Sequence, residues 1–278
     1  MKMNKTGWID IGTRLFCACL LASGLAGISA CASKSPGVGP TGSGVEMMTA
    51  SDEPDARRRA RIRLELAVGY FEQGQTTIAL DELKQSIVAD PTFGEAYNLR
   101  GLIYMRLNDF RFAEESFKKA LSINPQNSNV VHNLGWLYCQ EARYPESLLL
   151  FWQALSNPQY GERAKTLMAQ GLCEIRAGRT ADAELSLLKS YEFDPGNPIT
   201  AYQLATLLFQ RGDFVRSRFY VRRLNNSELA NAESLWLGVK VERRMENRDA
   251  MLQLATQLQK RFPQSREAAS YQRSAFDE

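Results

Sequence analysis

Hydrophobic and polar positions divide this chain into three stretches. Leu15 to Ile28 is an apolar run of about fourteen residues, preceded by Lys2, Lys5 and Arg14. Ala32 to Ala56 is dense in Gly, Ser, Pro and Thr and has little to bury. Beyond it, apolar and small residues return on a long period. Pro91 and Pro125 are 34 residues apart, as are Gly101 and Gly135, while Pro195 and Pro263 are separated by 68, twice that interval. A fixed period of this size marks stacked supersecondary units, each of which can bury its apolar face only against its neighbours.

Within each period the residues follow the tetratricopeptide pattern of two antiparallel helices. The second unit carries Tyr97, Gly101, Tyr104, Ala113, Phe117, Ala120 and Pro125, with Arg100 at a slot that normally holds leucine. The third carries Leu134, Gly135, Tyr138, Phe151 and Ala154, with Pro158 one residue early. Leu66, Ala67, Tyr70, Ala79, Leu83 and Pro91 make the first unit; Leu167, Gly171, Ala183, Leu187 and Pro195 make the fourth. Two degenerate units run through Leu204, Ala205, Leu208 and Val221, then through Gly238, Ala250, Leu254 and Pro263. Gly or Ala lets paired helices approach, Tyr, Phe and Leu fill the space between pairs, and Pro ends the second helix. Gln73-Gly74-Gln75, Leu107-Asn108-Asp109, Ala177-Gly178-Arg179 and Arg211-Gly212-Asp213 supply the turns within hairpins. The pattern predicts an all-α, right-handed superhelical solenoid of about six tetratricopeptide-type hairpins over residues 57–278. Gly135 and Gly171 are 36 residues apart, so two extra residues fall in Asn157-Pro158-Gln159-Tyr160-Gly161, a loop predicted to protrude.

The N-terminal apolar run is shorter than the roughly 20 residues that span a bilayer, and with its basic flank it reads as a secretory signal over residues 1–30. Ile28-Ser29-Ala30-Cys31 resembles the bacterial lipobox, which places a covalent lipid on Cys31; an ordinary signal with a chance cysteine at the cut is the alternative. Several acyl chains would anchor the protein stably, at about 0.8 kcal/mol per buried methylene. Ala32, rather than Asp, follows the Cys, which by resemblance to bacterial sorting patterns favours the periplasmic leaflet of the outer membrane. Residues 31–56 then form a lipidated tether with a reach of roughly 25 to 30 Å.

Charge and composition narrow the chemistry. The net charge is +3, and residues 1–30 contribute +2 of it, which gives no basis for nucleic-acid binding. Arg57, Arg58, Arg59, Arg61 and Arg63 form a local basic run, read as a solvated helix face, with contact to anionic lipid or an acidic partner as the alternative. There is no Gly-rich phosphate loop, no metal-spaced Cys or His cluster, and one histidine, His132, so the expectation is a protein without catalytic residues, metal or cofactor beyond the lipid. Glu114 and Glu115 lie among Lys118 and Lys119 at helical pairing distance and read as solvated acids. Cys17 and Cys19 leave with the signal, and Cys139 and Cys173 fall at matched ends of adjacent first helices in an oxidising compartment. A disulfide between them is predicted, with two buried thiols as the alternative.

A solenoid of this kind binds partners along the surface lined by its first helices. Helical spacing there gives Leu64, Val68 and Phe71, then Asn98, Leu102 and Met105, then Asn129, His132 and Trp136. These residues predict an apolar groove, rimmed by Asn and His, for an extended segment or amphipathic helix of a protein partner. Solenoids closed at their ends are often monomers, and a monomer is expected here.

Taken together, the lipobox, the six hairpins, the string Asn133-Leu134-Gly135-Trp136-Leu137-Tyr138-Cys139, the loop at Asn157 to Tyr160 and Gly171-Leu172-Cys173 resemble the type IV pilus biogenesis lipoproteins, the pilotin family. The resemblance implies a scaffold that helps the pilus secretin reach, assemble or persist in the outer membrane, supporting pilus extrusion and twitching motility. Arg100, Glu174 and the weak last two units depart from the repeat pattern. An adaptor for cell-wall enzymes or for outer-membrane β-barrel assembly is the competing reading.

Overall fold

The structure, a computed structural model, describes residues 52–276. Cys31, the signal and most of the tether lie outside the described residues. Thirteen helices and no strand are present among those described: α1 (Asp55–Glu72), α2 (Thr76–Ala89), α3 (Gly94–Arg106), α4 (Phe110–Ile123), α5 (Ser128–Gln140), α6 (Tyr144–Ser156), α7 (Arg163–Arg176), α8 (Thr180–Phe193), α9 (Pro198–Gln210), α10 (Phe214–Asn225), α11 (Ala232–Arg244), α12 (Arg248–Arg261) and α13 (Arg266–Gln272). They form six antiparallel hairpins and one short closing helix. The fold is a tetratricopeptide-type solenoid. No described helix is long and apolar enough to cross a membrane.

The repeat slots account for the local structure. Gly101 is required by close approach: a Cβ there would sit 2.5 Å from a ring carbon of Phe117 on α4. Every hairpin turn places one residue in the left-handed region, Gly74 (φ 76°), Asn108 (φ 59°), Ala142 (φ 59°), Gly178 (φ 74°), Gly212 (φ 84°) and Glu246 (φ 58°). The residue before the repeat proline is extended at Asp90, Asn124 and Asn157 and leaves the helical region at Asp194 and Phe262, as proline's ring demands of its predecessor, and this ends the second helix. α1 begins at Asp55, two residues ahead of the expected start.

Each first helix touches the next first helix as well as the second helix before it, whereas no two second helices touch among the described residues. Crowding on one side and splaying on the other curves the array, with the first helices on the inner face. α13 packs on both α11 and α12. Trp236 stacks against Phe276 at 5.3 Å and meets Tyr271 edge-on at 6.4 Å.

Side chains tie neighbouring hairpins together. Tyr138 donates to Glu114 at 2.7 Å and lies beneath the Arg143 guanidinium, 3.5 Å from its ring centroid. Lys118 pairs with Glu114 at 2.7 Å. Burial works to raise the Glu114 carboxyl, but the hydrogen bonds from Lys118 and Tyr138 outweigh it and hold the group below the usual range. Four of the five arginines in the basic run of α1 are paired within the fold, Arg57 with Asp90, Arg58 with Asp55, Arg61 with Glu53 and Glu65, and Arg63 with Glu82, while Arg59 is exposed.

Two expectations about this region need correction. The loop at Asn157 to Gly161 does not protrude as a whole. Tyr160 is buried beside Val131 and Ala154, and Asn157 donates to Ser128 at 3.0 Å. The extra residues thus supply a core side chain. Glu114 is also more than a solvated acid, since it joins α4 to α5 through Tyr138.

Candidate partner-binding groove

Helical periodicity puts every fourth or third residue of a first helix on the inner face. On α1, Leu64 and Phe71 are half-buried and Val68 is 38 % exposed. On α3, Asn98 and Leu102 are half-buried, and Asn98 accepts a hydrogen bond from Asn133 at 2.9 Å. On α5, Asn129 is exposed in the first turn and Trp136 is half-buried. These seven residues line the inner face.

Met105 and His132 do not. Met105 is 9 % exposed and sits in the core with Tyr138 and Leu137, because the next hairpin packs over the end of α3. His132 is 5 % exposed. Its Nδ1 lies 2.8 Å from the Thr166 hydroxyl, which lies 2.8 Å from the Tyr160 hydroxyl, and its ring packs on Phe151 at 5.7 Å. Burial, with a smaller push from Lys165, lowers its pKa to about 4. A neutral imidazole enclosed in this way is a structural hydrogen-bonding group at the joint of α5 and α7, neither rim nor base. The Sγ atoms of Cys139 and Cys173 are bonded at the same joint, with Cα atoms 5.7 Å apart.

The inner face extends further than the sequence pattern indicated. Met168 and Leu172 on α7 and Tyr202 and Phe209 on α9 continue the half-exposed apolar stripe. Cations from following helices lie over its rings: Arg106 over Phe71 at 5.2 Å, Arg176 over Trp136 at 5.0 Å, and Lys240 over Phe209 at 5.7 Å. Such pairs are attracted by the ring quadrupole. A basic residue near the end of α3 and α7 was their one signal in the sequence. The result is an apolar stripe edged with positive charge, suited to an apolar segment with acidic flanks. Among the described residues no cluster of His, Cys, Asp or Glu could hold a metal ion.

Comparison with known proteins agrees with this architecture. Family models described as tetratricopeptide repeat match residues 94–127 and 116–148. The type IV pilus assembly protein PilF of Pseudomonas aeruginosa is 26 % identical over 209 residues, spanning 75 % of this chain and 83 % of the relative. A solved structure of Pseudomonas aeruginosa PilF superposes with a TM-score of 0.72 at 25 % identity, covering 80 % of this chain and all of the other. The crystal structure of PilW, a type IV pilus biogenesis factor, gives a TM-score of 0.69 at 28 % identity over 76 % of this chain and 97 % of that one. The chain is a tetratricopeptide-repeat protein homologous to PilF and PilW at moderate identity. Proteins of this repeat class mediate protein–protein contacts and are generally non-enzymatic.

Proposed function

We propose that this protein is an outer-membrane lipoprotein, anchored through Cys31, that captures a segment of the type IV pilus secretin in its inner groove and promotes the secretin's localisation, assembly or stability. The observation that carries the reading is the half-exposed stripe that recurs on α1, α3, α5, α7 and α9, from Leu64 to Phe209, on a scaffold similar to pilus assembly proteins over most of their length. Holding a bound subunit on a short tether raises its effective concentration near the membrane into the millimolar range, and no covalent step is needed.

Deleting the gene is expected to reduce surface pili and secretin multimers together; normal amounts of both would refute the reading. Re-expression with Cys31→Ser tests the anchor, because outer-membrane association should be lost on fractionation. Val68→Glu and Trp136→Glu test the groove. Val68 is the cleaner site because less of it is packed, and its charged variant should lose partner capture while helical content stays unchanged.

A further inference from the structure

The joint between the third and fourth hairpins has a cleft on the outer side of the array. On α5, α9 and α11 the side chains aimed between neighbouring second helices are Leu134 and Tyr138, Leu204 and Leu208, and Leu237 and Val241, all of them buried. On α7 the same slots hold Gln170 and Glu174. A cleft of about 530 Å³ opens there, walled by α6 and α8 and floored by α7. Trp152, 68 % exposed, stands at its mouth with the exposed Leu185 and Phe193.

Glu174 lines the cleft yet is only 3 % exposed. One carboxylate oxygen accepts from Gln170 at 2.9 Å, and Oε2 has no hydrogen-bond partner. The other buried glutamate with such an oxygen, Glu242, is neutralised by Arg218 at 2.8 Å. Glu174 has no such pairing. Three cations line the cleft: Arg163 donates to the carbonyl of Leu155 at 2.8 Å, Arg179 pairs with Asp182 at 2.8 Å, and Lys189 on α8 forms no ion pair with Glu174. A buried carboxylate with an unmet acceptor is costly, and an incoming cation with N–H donors removes that cost. Oε2 is itself enclosed, so a guanidinium meets it on a turn of the Glu174 side chain toward the cleft; it suits the site best because its planar fork matches a carboxylate while its stem and face lie on an indole.

We propose that this cleft is a second docking site, which takes an arginine side chain, flanked by apolar residues, from a partner protein. At 100° per residue, Glu174 and Gln170 lie on the opposite side of α7 from Leu172, so the site faces away from the inner groove and both can be filled at once.

The test uses the whole chain, with the Trp152 and Trp136 indole N–H signals assigned by Trp→Phe variants and followed by NMR. Acetyl-Leu-Arg-Leu-amide is titrated alongside the same peptide with citrulline, which keeps the shape but not the charge, and alongside spermidine as a free amine. The arginine peptide should shift the Trp152 signal saturably and leave Trp136 unmoved, and the citrulline peptide and spermidine should bind at least tenfold more weakly. Glu174→Gln should lose the same factor. Glu174→Leu should abolish binding and raise the melting temperature. Equal binding of the citrulline peptide or spermidine, undiminished binding by Glu174→Gln, a shift confined to Trp136, or no Trp152 shift at millimolar arginine peptide would each overturn the proposal.

Discussion

In the third hairpin Leu134 and Tyr138 close the space against the neighbouring second helix, and Tyr138 is held by Glu114 and Arg143. In the fourth, Gln170 and Glu174 stand at the matching positions and a cleft remains. The two hairpins share one repeat pattern, a bond between Cys139 and Cys173 and a polar chain from Tyr160 through Thr166 to His132. One unit of a repeat array can therefore give up interior packing when covalent and polar links hold its joint from the other side. Nearest-neighbour contacts carry the stability of such arrays, so a weakened unit must be compensated at its own interface.

The comparison can be broken most severely at Phe151, which is fully buried and supports both Gly135 and the His132 ring. Phe151→Ala should cost about 4 kcal/mol, read from urea unfolding. Removing the bridge with the Cys139→Ser, Cys173→Ser double variant should cost about 3 kcal/mol, and it should split one unfolding transition into two if the joint is where the array divides. Mass spectrometry that finds both thiols free in the native protein would dismiss the bridge.

A smaller effect comes from pH. The His132 pKa is lowered in the fold from 6.5 to about 4, so between those values the unfolded chain takes up a proton that the folded chain refuses. Stability therefore falls as pH drops from about 6.5 to about 4, by no more than about 3 kcal/mol at 1.36 kcal/mol per unit. His132→Gln should flatten that window relative to wild type, and an unchanged pH profile would remove His132 from the account. The smallest effect lies in the turns, where Ala142 and Gly178 hold equivalent left-handed positions. Ala142→Gly should stabilise, and Gly178→Ala destabilise, by about 1 kcal/mol or less in thermal melts.

The architecture was legible because it rests on spacing: Pro91 and Pro125, or Gly101 and Gly135, mark where helices end or touch whatever lies around them. The site was less so. Helical spacing says which face a residue is on, and it says nothing of what the next hairpin brings across. Met105 and His132 have groove spacing, but the end of α5 covers one, and Thr166 on α7 takes the other. Tyr160 reads as loop because it lies outside the period, although an inserted residue can still drop its ring into the core. Met168 on α7 and Phe209 on α9 keep the same helical spacing, but their half-exposure is set by the neighbouring helices and not by the repeat slots. Glu174 was visible as a departure, yet its unmet oxygen appears only when the walls of the cleft are in place.

The short helix α13 has a consequence of its own. A stack of like hairpins has no natural length, and copies of such a stack could in principle add end to end into a filament. α13 touches α11 and α12 in the way that α3 touches α1 and α2. It occupies the berth of a seventh hairpin, with Trp236, Tyr271 and Phe276 sealing the seam. While α13 holds that berth, no helix of another copy can stack directly on α11 and α12, which gives the array a polarity.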